Sequence, residues 1–406
     1  MANNNNLGFS TQLLHFYKEK NNENAHLTPI YASSTFSFDS VEDGVEKFNH
    51  IDKKNIYSRW GNPSFDPAAE TISYLESRNI LNKNNEPLKL QSYLFASGQA
   101  AMSTLFMSNL QSGDSVLSHF CLYGGTQELI QKVLVNFGIK NILIDLNDFD
   151  LLRETISTNP SIKLIHIETP CNPLLQCVNI EAVCNIAQEF NIKVSVDNTF
   201  ATPYLQQPFK FGADFVMHST TKYLNGHGTA IGGILIGKDI DFMKTVVWKK
   251  MILLGGNYNP FDAFSLMNGL KTLEIRMERH CDNAMIIGNY LKNHHKIAQV
   301  YYTGLEDHPQ KDLINKQLRK PSPMLSFEPK SGFEGATKFI NQVKICTKAV
   351  SLGTLDTLVC HPASMTHVGI SEKERLKYGL SNSLIRMSVG IESVADLISD
   401  IDQALN

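Results

Sequence analysis

The sequence has little that would suit a charged polymer or a membrane as its partner. Its 37 Lys and Arg residues are balanced by 40 Asp and Glu residues, which leaves a formal net charge of −3. This balance gives no electrostatic case for binding nucleic acid or an anionic membrane. No apolar run reaches the roughly 20 residues of a membrane-spanning helix. Residues 1–16 lack the basic head and apolar run of a signal peptide, so we expect a cytoplasmic protein with neither nucleic-acid nor membrane partners.

Cysteine is also sparse, with 7 residues scattered along 406 positions and no CxxC pair. The odd number and wide spacing argue against a disulfide framework and against a zinc site, and they fit a reducing compartment. We therefore expect no metal. Hydrophobic residues make up 42% of the chain and charged residues 19%, which is ordinary for a soluble enzyme. A chain of this length can form two or three packed units.

Short apolar runs alternate with helical stretches through the first half of the sequence. The runs Ser115–His119, Ile162–Glu168 and Val194–Val196 have the length of buried strands, and the stretch Asn179–Phe190 has helical spacing. Strands that alternate with helices predict a parallel sheet covered on both faces. The expected fold class is therefore α/β with a mostly parallel central sheet.

The pattern differs at the two ends of the chain. The first 65 residues are irregular, with extended segments interrupted by Pro and Ser. Beyond Gly237, long helical stretches separate isolated strand candidates, as in an α+β domain. We predict three parts: an N-terminal arm at 1–65, a large domain at 66–255 and a smaller α+β domain at 256–406.

Two apolar runs end in polar residues that suggest a ligand site. Val194–Val196 stops at Asp197, and Ala213–Met217 is followed by a hydroxyl-rich segment that ends at Lys222. Ligands of open α/β sheets bind in the crevice at the carboxyl ends of the strands. The sequence therefore predicts that Asp197 and Lys222 face one crevice, although most lysines are solvated surface charges.

A desolvated lysine is the usual amine nucleophile for Schiff bases. The segment Ser219-Thr220-Thr221 beside Lys222 offers hydroxyls to a phosphate ester, and Asp197 offers a carboxylate to a protonated pyridine nitrogen. Pyridoxal 5′-phosphate (PLP) needs such a lysine, a phosphate cup and an acid at the ring nitrogen. PLP is therefore the cofactor that this pattern favours.

The stretches DNTFATPYLQ and HSTTKYLNGHG resemble the cofactor-lysine segment of the Cys/Met-metabolism PLP enzymes. This family comprises the cystathionine γ-synthases and lyases, the methionine γ-lyases and the O-acylhomoserine sulfhydrylases. Similar motifs run from Thr28-Pro29 to Ile391-Glu392, which is nearly the whole chain. The resemblance implies the aspartate-aminotransferase-like fold (fold type I), with Lys222 as cofactor lysine and general base and Asp197 at the ring nitrogen.

A second motif suggests where the cofactor phosphate binds. A short strand at Tyr93–Ala96 runs into Ser97-Gly98-Gln99 and then into a helix. Such a turn is often only a tight turn, but it can also hold an anion with backbone N–H groups. The resemblance implies that Gly98 and Gln99 form the phosphate cup and that Ser219 and Thr221 complete it.

The segment Tyr57-Ser58-Arg59, turned by Gly61-Asn62-Pro63, is either a surface loop or a phosphate clamp. The resemblance implies that Tyr57 and Arg59 of the arm grip the cofactor phosphate of a neighbouring subunit. It therefore implies a homo-oligomer, expected to be a tetramer built as a dimer of dimers with active sites shared between subunits.

Four further residues are candidates for contact with the ring or the substrate. Arg386 lies inside an apolar strand, where a charge is costly unless it is paired. It is either a structural ion pair or a clamp for the substrate carboxylate, and the resemblance implies the clamp. The resemblance also implies that Tyr123 stacks on the cofactor ring and moves protons, and that Asn172 and Ser351 bind substrate.

The resemblance implies trans-sulfuration chemistry and leaves two reactions open. Methionine γ-lyases typically carry a Cys two residues after the stacking Tyr, where this chain has Gly125. Enzymes that handle cystathionine often carry a Glu at the position of Val350. These differences favour γ-replacement on an O-acylhomoserine, giving homocysteine or cystathionine. The alternative is γ-elimination from methionine or cystathionine, giving 2-oxobutanoate, ammonia and a thiol.

Two other classes remain as alternatives. An aminotransferase of the same fold type would return the cofactor as its amine form and would need no γ-leaving group. A binding or structural protein could keep the scaffold without catalysis. The intact set of site residues argues against the second alternative: Lys222, Asp197, Arg59, Tyr123 and Arg386.

Overall fold

The computed structural model describes residues 7–17, 24–49, 55–369 and 371–406. In chain order, the α-helices are α1 (Phe9–His15), α2 (Val41–Asn49), α3 (Asp66–Ser77), α4 (Gly98–Asn109), α5 (Gly124–Glu128), α6 (Phe149–Thr158), α7 (Ile180–Glu189), α8 (Thr202–Leu205), α9 (Ile240–Phe242), α10 (Trp248–Leu254), α11 (Pro260–Leu270), α12 (Leu273–Asn293), α13 (Lys311–Gln317), α14 (Gly332–Gln342), α15 (Glu372–Lys377) and α16 (Val394–Leu405).

The strands are β1 (Gln91–Phe95), β2 (Ser115–His119), β3 (Lys140–Ile144), β4 (Ile162–Glu168), β5 (Lys193–Asp197), β6 (Phe215–His218), β7 (Gly233–Gly237), β8 (Ile297–Tyr301), β9 (Met324–Pro329), β10 (Thr347–Lys348), β11 (Leu358–Cys360) and β12 (Ile385–Ser388). Packing divides the chain into two compact units, each made of two stretches. The first unit is 1–109 with 207–273, and the second is 110–206 with 274–406.

The described residues of the first unit form three strands in the order β1-β7-β6. β7 runs antiparallel to both of its neighbours. A parallel connection needs a crossover of a dozen or more residues, usually a helix. The stretch 219–232 between β6 and β7 consists of turns instead, so the two strands pair antiparallel. Helices α3 and α4 pack on these strands, and every residue of β6 and β7 is buried.

The second unit contains four parallel strands in the order β5-β4-β2-β3. Six of the seven residues of β4 are buried, as expected for a strand covered on both faces. Helix α7 packs on β5 and begins after Asn179, whose side-chain oxygen accepts the Ala182 N–H at 3.0 Å. This cap satisfies one of the helix N–H groups that have no partner within the helix.

A five-stranded sheet also lies in the second unit, in the order β10-β11-β12-β9-β8. β10 and β11 are parallel, and the other pairs are antiparallel. All four residues of β12 are buried, including the charged Arg386. Helix α14 packs on β9 of this sheet, and it also packs on α16.

The predicted α/β class with a mostly parallel sheet is confirmed, and the antiparallel β7 makes the set of strands mixed. The arm, large domain and small domain that the sequence suggested stay a prediction. Packing describes the chain in another way, as two units that are each made of two separate stretches. Residues 1–6, 18–23 and 50–54 of the predicted arm lie outside the described residues. Among the described residues, no helix is both long and apolar enough to cross a membrane.

Candidate functional site

The first unit presents a helix N-terminus immediately after β1. Helix α4 begins at Gly98, and Ser97 caps its first turn. The Ser97 hydroxyl accepts the Ala100 N–H at 3.1 Å, and the Ser97 carbonyl accepts the Ala101 N–H at 3.2 Å. The N–H groups of Gly98 and Gln99 precede these bonds, at the positive end of the 12-residue helix. This arrangement suits an anion.

Ser219 lies against this helix end because residue 98 has no side chain. A Cβ at Gly98 would lie 2.9 Å from the Ser219 Cβ and 3.1 Å from its Oγ. A Cβ at Gly233 would lie 2.4 Å from the Ser97 carbonyl oxygen. Two glycines therefore allow a hydroxyl and a helix N-terminus to approach closely, which gives the chemistry of a phosphate cup.

Thr221 forms hydrogen bonds with the loop that precedes β7. Its Oγ1 donates to the Gly232 carbonyl at 3.2 Å and accepts the Gly232 N–H at 3.0 Å. The hydroxyl thereby ties the lysine segment to the residue that precedes β7. A contact between Thr221 and a cofactor phosphate stays a prediction.

Lys222 lies in a tight turn that follows β6. Its N–H donates to the Ser219 carbonyl at 3.2 Å, and its own carbonyl accepts the Gly226 N–H at 2.8 Å. The lysine is half-buried. The turn is therefore fixed by backbone bonds on both sides of the lysine.

A buried pair that the sequence reasoning missed holds the end of β6. The His218 Nε2 lies 2.7 Å from the Glu76 Oε1, and both side chains are fully buried. Glu76 belongs to α3, and His218 directly precedes Ser219. The available signal was an acid among the apolar residues of an amphipathic helix, since acids are almost never buried without a partner.

Tyr57 and Arg59 lie together in the first unit. The Arg59 guanidinium is 5.4 Å from the centre of the Tyr57 ring, and its Nη1 donates to the Ile252 carbonyl at 2.8 Å. Tyr57 is 42% exposed. Within the described chain, Arg59 therefore binds a backbone carbonyl of its own unit.

In the second unit, three predicted substrate residues come together. Arg386 is 4% exposed, and its Nη1 donates to the Asn172 Oδ1 at 3.2 Å. Its Nη2 donates to the Ser351 carbonyl at 2.7 Å, while its buried Nε has no hydrogen-bond partner among the described residues. Ser351 has φ of 88°, a left-handed conformation that turns the chain here. A buried cation held by neutral oxygens is suited to a carboxylate ligand.

Glu168 connects Tyr123 and Asn172. It is the last residue of β4, and its side chain is buried. Its Oε2 accepts the Tyr123 N–H at 2.6 Å, and its Oε1 accepts the Asn172 N–H at 3.1 Å. The sequence showed Glu168 at a strand end but gave no signal for this role.

Asp197 is the register partner of Glu168 on the neighbouring strand β5. Its Oδ1 accepts the Thr199 N–H at 3.0 Å and the Thr199 hydroxyl at 2.5 Å. Burial raises the pKa of Glu168 well above its usual value, and the negative charge of Asp197 is the second largest cause of this increase. Burial and the charge of Glu168 likewise raise the pKa of Tyr123, so its phenol is protonated at neutral pH.

Two histidines of the second unit, His361 and His367, are held by neighbouring groups of the protein. The His361 ring contacts the Ser364 hydroxyl at 2.8 Å and the Asn382 carbonyl at 2.7 Å. Burial, followed by the charge of Arg386, lowers the pKa of His367 to about 4, so this ring is neutral at neutral pH. Within the described part of the chain, no cluster of three or more His, Cys, Asp or Glu side chains could hold a metal ion.

The groups in both units fit PLP chemistry. The first unit supplies the amine of Lys222 and an anion cup at Gly98 and Ser219 that a Cβ would fill. The second supplies the acid of Asp197, and the buried Nε of Arg386 is left for a substrate carboxylate. These are the groups that a phosphorylated pyridine aldehyde and an amino acid require.

Comparison with known proteins agrees with this chemistry. The family model described as Cys/Met metabolism PLP-dependent enzyme matches residues 10–406. An L-methionine gamma-lyase of Fusobacterium nucleatum subsp. polymorphum is 41% identical over 98% of each chain. A cystathionine gamma-lyase of Dictyostelium discoideum is 36% identical over 100% of each chain. The solved structure of metB from Corynebacterium glutamicum is 37% identical and superposes with a TM-score of 0.89, over 99% of this chain and 98% of that one.

Proposed function

We propose, because the chain belongs to the Cys/Met-metabolism PLP-dependent enzymes, that it catalyses γ-elimination from L-methionine. The reaction would consume one water molecule and give 2-oxobutanoate, ammonia and methanethiol. The observation that carries the proposal is the 41% identity to an L-methionine gamma-lyase along 98% of both chains. This choice reverses the preference for γ-replacement that Gly125 and Val350 suggested. Those are two single positions, whereas the similarity to the lyase extends over 98% of both chains.

PLP, when bound, supplies an electron sink conjugated to the substrate amine. We propose that Lys222 holds the cofactor through its amine and, once released by the substrate, moves protons at Cα and Cβ. Asp197 would keep the ring nitrogen protonated. The N–H groups of Gly98 and Gln99 and the hydroxyl of Ser219 would hold the phosphate. Their proposed role is supported by the close approach of Ser219 to the start of α4, where a Cβ at Gly98 would lie only 2.9 Å from the Ser219 Cβ.

Arg386 would bind the substrate carboxylate with its Nε and one Nη. This role is supported by the buried Nε and by the positions of Asn172 and Ser351, whose oxygens hold the two Nη atoms at 3.2 Å and 2.7 Å. A guanidinium held on one side presents a fixed fork on the other side. The substrate would thereby be oriented for bond cleavage at Cγ.

Tyr123 would act on the leaving group as well as on the ring. Its pKa is raised first by burial and then by the charge of Glu168, which keeps the phenol protonated. A protonated phenol can donate to the departing thiolate and can stack on a flat heteroaromatic ring.

The proposal includes a homo-oligomer, a tetramer built as a dimer of dimers, in which Tyr57 and Arg59 reach the cofactor of a neighbouring subunit. It is supported by the exposed Tyr57 and by the apolar side chains after Ile252, where Leu253 is 70% exposed and Leu254 is 52% exposed. An Arg59→Ala variant should lose cofactor more readily on dialysis while keeping its fold. A monomeric holoenzyme with full turnover would contradict this arrangement.

The test of the function is a paired product assay on the holoenzyme. One reaction contains L-methionine alone, and the other contains O-acetylhomoserine with sulfide. Release of 2-oxobutanoate and methanethiol in equal amounts from methionine supports the lyase. Homocysteine from the second reaction, with no keto acid from the first, would instead establish γ-replacement, for which Gly125 is the supporting observation.

A further inference from the structure

Glu168 contacts two loops that carry proposed site residues, yet its own side chain has no proposed role. The carboxylate is 5% exposed and lies at the end of β4. Each of its oxygens accepts one backbone N–H, from Tyr123 at 2.6 Å and from Asn172 at 3.1 Å. These two residues are 49 positions apart in the sequence.

We propose that Glu168 is a positioning residue that fixes where Tyr123 and Asn172 lie relative to each other, so that both act on one substrate. This inference rests on the proposed function of those two residues. It assigns to Glu168 no contact with cofactor or substrate. Its effect would pass through two backbone bonds, each of which fixes the direction of a side chain.

The bond to Tyr123 fixes the start of a short helix. Tyr123 is the N-cap residue of α5, and its side chain caps no backbone group. The carbonyl of Tyr123 accepts the Thr126 N–H at 2.9 Å, so the peptide group that follows Tyr123 is already held. Glu168 holds the peptide group that precedes it, and the backbone from which the Tyr123 ring extends is therefore fixed on both sides.

The bond to Asn172 extends to the guanidinium. Asn172 is 2% exposed, and its Oδ1 accepts from the Arg386 Nη1 at 3.2 Å. A shift of the Asn172 backbone would move this acceptor and leave a buried N–H of Arg386 without a partner. Glu168 thus acts on the carboxylate-binding side through Asn172 and on the phenol side through Tyr123.

The chain offers a matched control for the alternative that Glu168 is only structural. Asp400 is also a buried carboxylate of the second unit, with 3% exposure. It accepts the backbone N–H groups of Lys344, Ile345 and Cys346 at 2.8 to 2.9 Å. None of these partners is a proposed site residue, so Asp400→Asn reproduces the loss of a backbone-bound carboxylate without touching the site.

The experiment compares Glu168→Gln with Asp400→Asn as holoenzymes. A Gln keeps the size of Glu but has one carbonyl oxygen and one NH2 group, so it can accept only one of the two N–H groups. The probe is L-norleucine, a methionine isostere without a γ-leaving group, titrated by the change in cofactor absorbance. Its dissociation constant is measured together with kcat, KM for methionine, cofactor content and thermal midpoint.

We expect Glu168→Gln to keep its cofactor, to weaken norleucine binding about tenfold and to lower kcat by roughly 10- to 100-fold. Asp400→Asn should lower the thermal midpoint but change the norleucine constant and kcat by less than about twofold. Wild-type binding and turnover in Glu168→Gln would overturn the inference. So would equal kinetic losses in the two variants.

If Glu168→Gln does not yield folded protein, Glu168→Asp carries the test. Asp keeps the carboxyl group but withdraws its oxygens by one methylene, so weaker norleucine binding with full cofactor content is expected. Unchanged binding would refute the role. In an Asn172→Ala background the effect of Glu168→Gln on norleucine binding should shrink, because one of its two routes is gone. An undiminished effect would show that Glu168 does not act through Asn172.

The norleucine titration also separates this inference from the proposed function. A wild-type enzyme that fails to cleave methionine but binds norleucine more tightly than Glu168→Gln does would reject the lyase and keep the positioning role.

Discussion

The two units hold their functional groups by different means. In the first unit, the predicted anion cup consists of backbone N–H groups, one hydroxyl and a close contact that Gly98 permits. In the second unit, the groups are buried ionisable side chains, such as Arg386 and Glu168, held by neutral oxygens and by N–H groups. Backbone N–H groups do not titrate and so change little with pH, whereas buried ionisable side chains are costly unless their partners are in place. The first arrangement suits a resident phosphate, and the second suits a substrate that must be oriented anew in each turnover.

The largest expected effect is that of Lys222→Ala, because it removes the amine proposed to hold the cofactor. Turnover should fall by more than about 1,000-fold while the thermal midpoint stays close to that of the wild type. Lys238→Ala is the control, since Lys238 forms a partly exposed pair with Asp214 at 2.9 Å. Substantial turnover in Lys222→Ala would contradict the assignment of the amine.

Arg386→Lys should follow, because a lysine keeps the charge but loses the fork. The partners Asn172 and Ser351 at 3.2 Å and 2.7 Å could not both be kept by one ammonium group. We expect kcat/KM for methionine to fall about 100-fold, mainly through KM, with normal cofactor content. If cofactor were lost as readily as substrate affinity, the assignment of Arg386 to the substrate carboxylate would be wrong.

The stability of the second unit should fall in acid. The pKa of His367 is lowered to about 4 by burial and then by Arg386 and Arg375, while an unfolded chain titrates near 6.5. Protons therefore bind the unfolded state more strongly, and stability present above pH 6.5 is lost as pH falls toward 4. At pH 5 this histidine should account for a loss of about 2 kcal/mol. Urea unfolding of wild type and His367→Asn at pH 7 and pH 5 measures it, and equal pH slopes would contradict the expectation.

Gly98→Ala should have the smallest effect of the four. The new Cβ would lie 2.9 Å from the Ser219 Cβ, so the helix end and Ser219 would have to move apart. We expect the affinity for PLP to fall about tenfold, with KM for methionine little changed. Gly8→Ala is the control, because no heavy atom lies within 4 Å of a Cβ there. A change in KM alone would place Gly98 outside the cup.

Much of the fold could be predicted because buried strands leave a strong pattern. Ser115–His119 and Ile162–Glu168 have the predicted bounds. The short strands β10 and β11 were not predicted, since two or three residues carry no periodicity. The interleaving of the two units was also beyond reach, because it depends on which distant segments pack together.

The candidate site divides in the same way. A charge inside an apolar strand indicated Arg386, and the structure places it beside Asn172 and Ser351. The role of Glu168 could not be read from the sequence, because its partners are backbone N–H groups that carry no residue identity. The φ of 88° at Ser351 likewise has no sequence signal, since serine rarely adopts it.

The interleaved units constrain how the protein can be made. The stretch that carries Gly98 and the stretch that carries Lys222 belong to one unit, but 97 residues of the other unit lie between them, at 110–206. During synthesis, Gly98 therefore leaves the ribosome long before Ser219, the residue beside it, has been made. The stretch 110–206 likewise emerges before 274–406, with which it forms the second unit. No single cut in the chain liberates either unit intact. Fragment complementation with separately expressed pieces would have to rejoin both units at once.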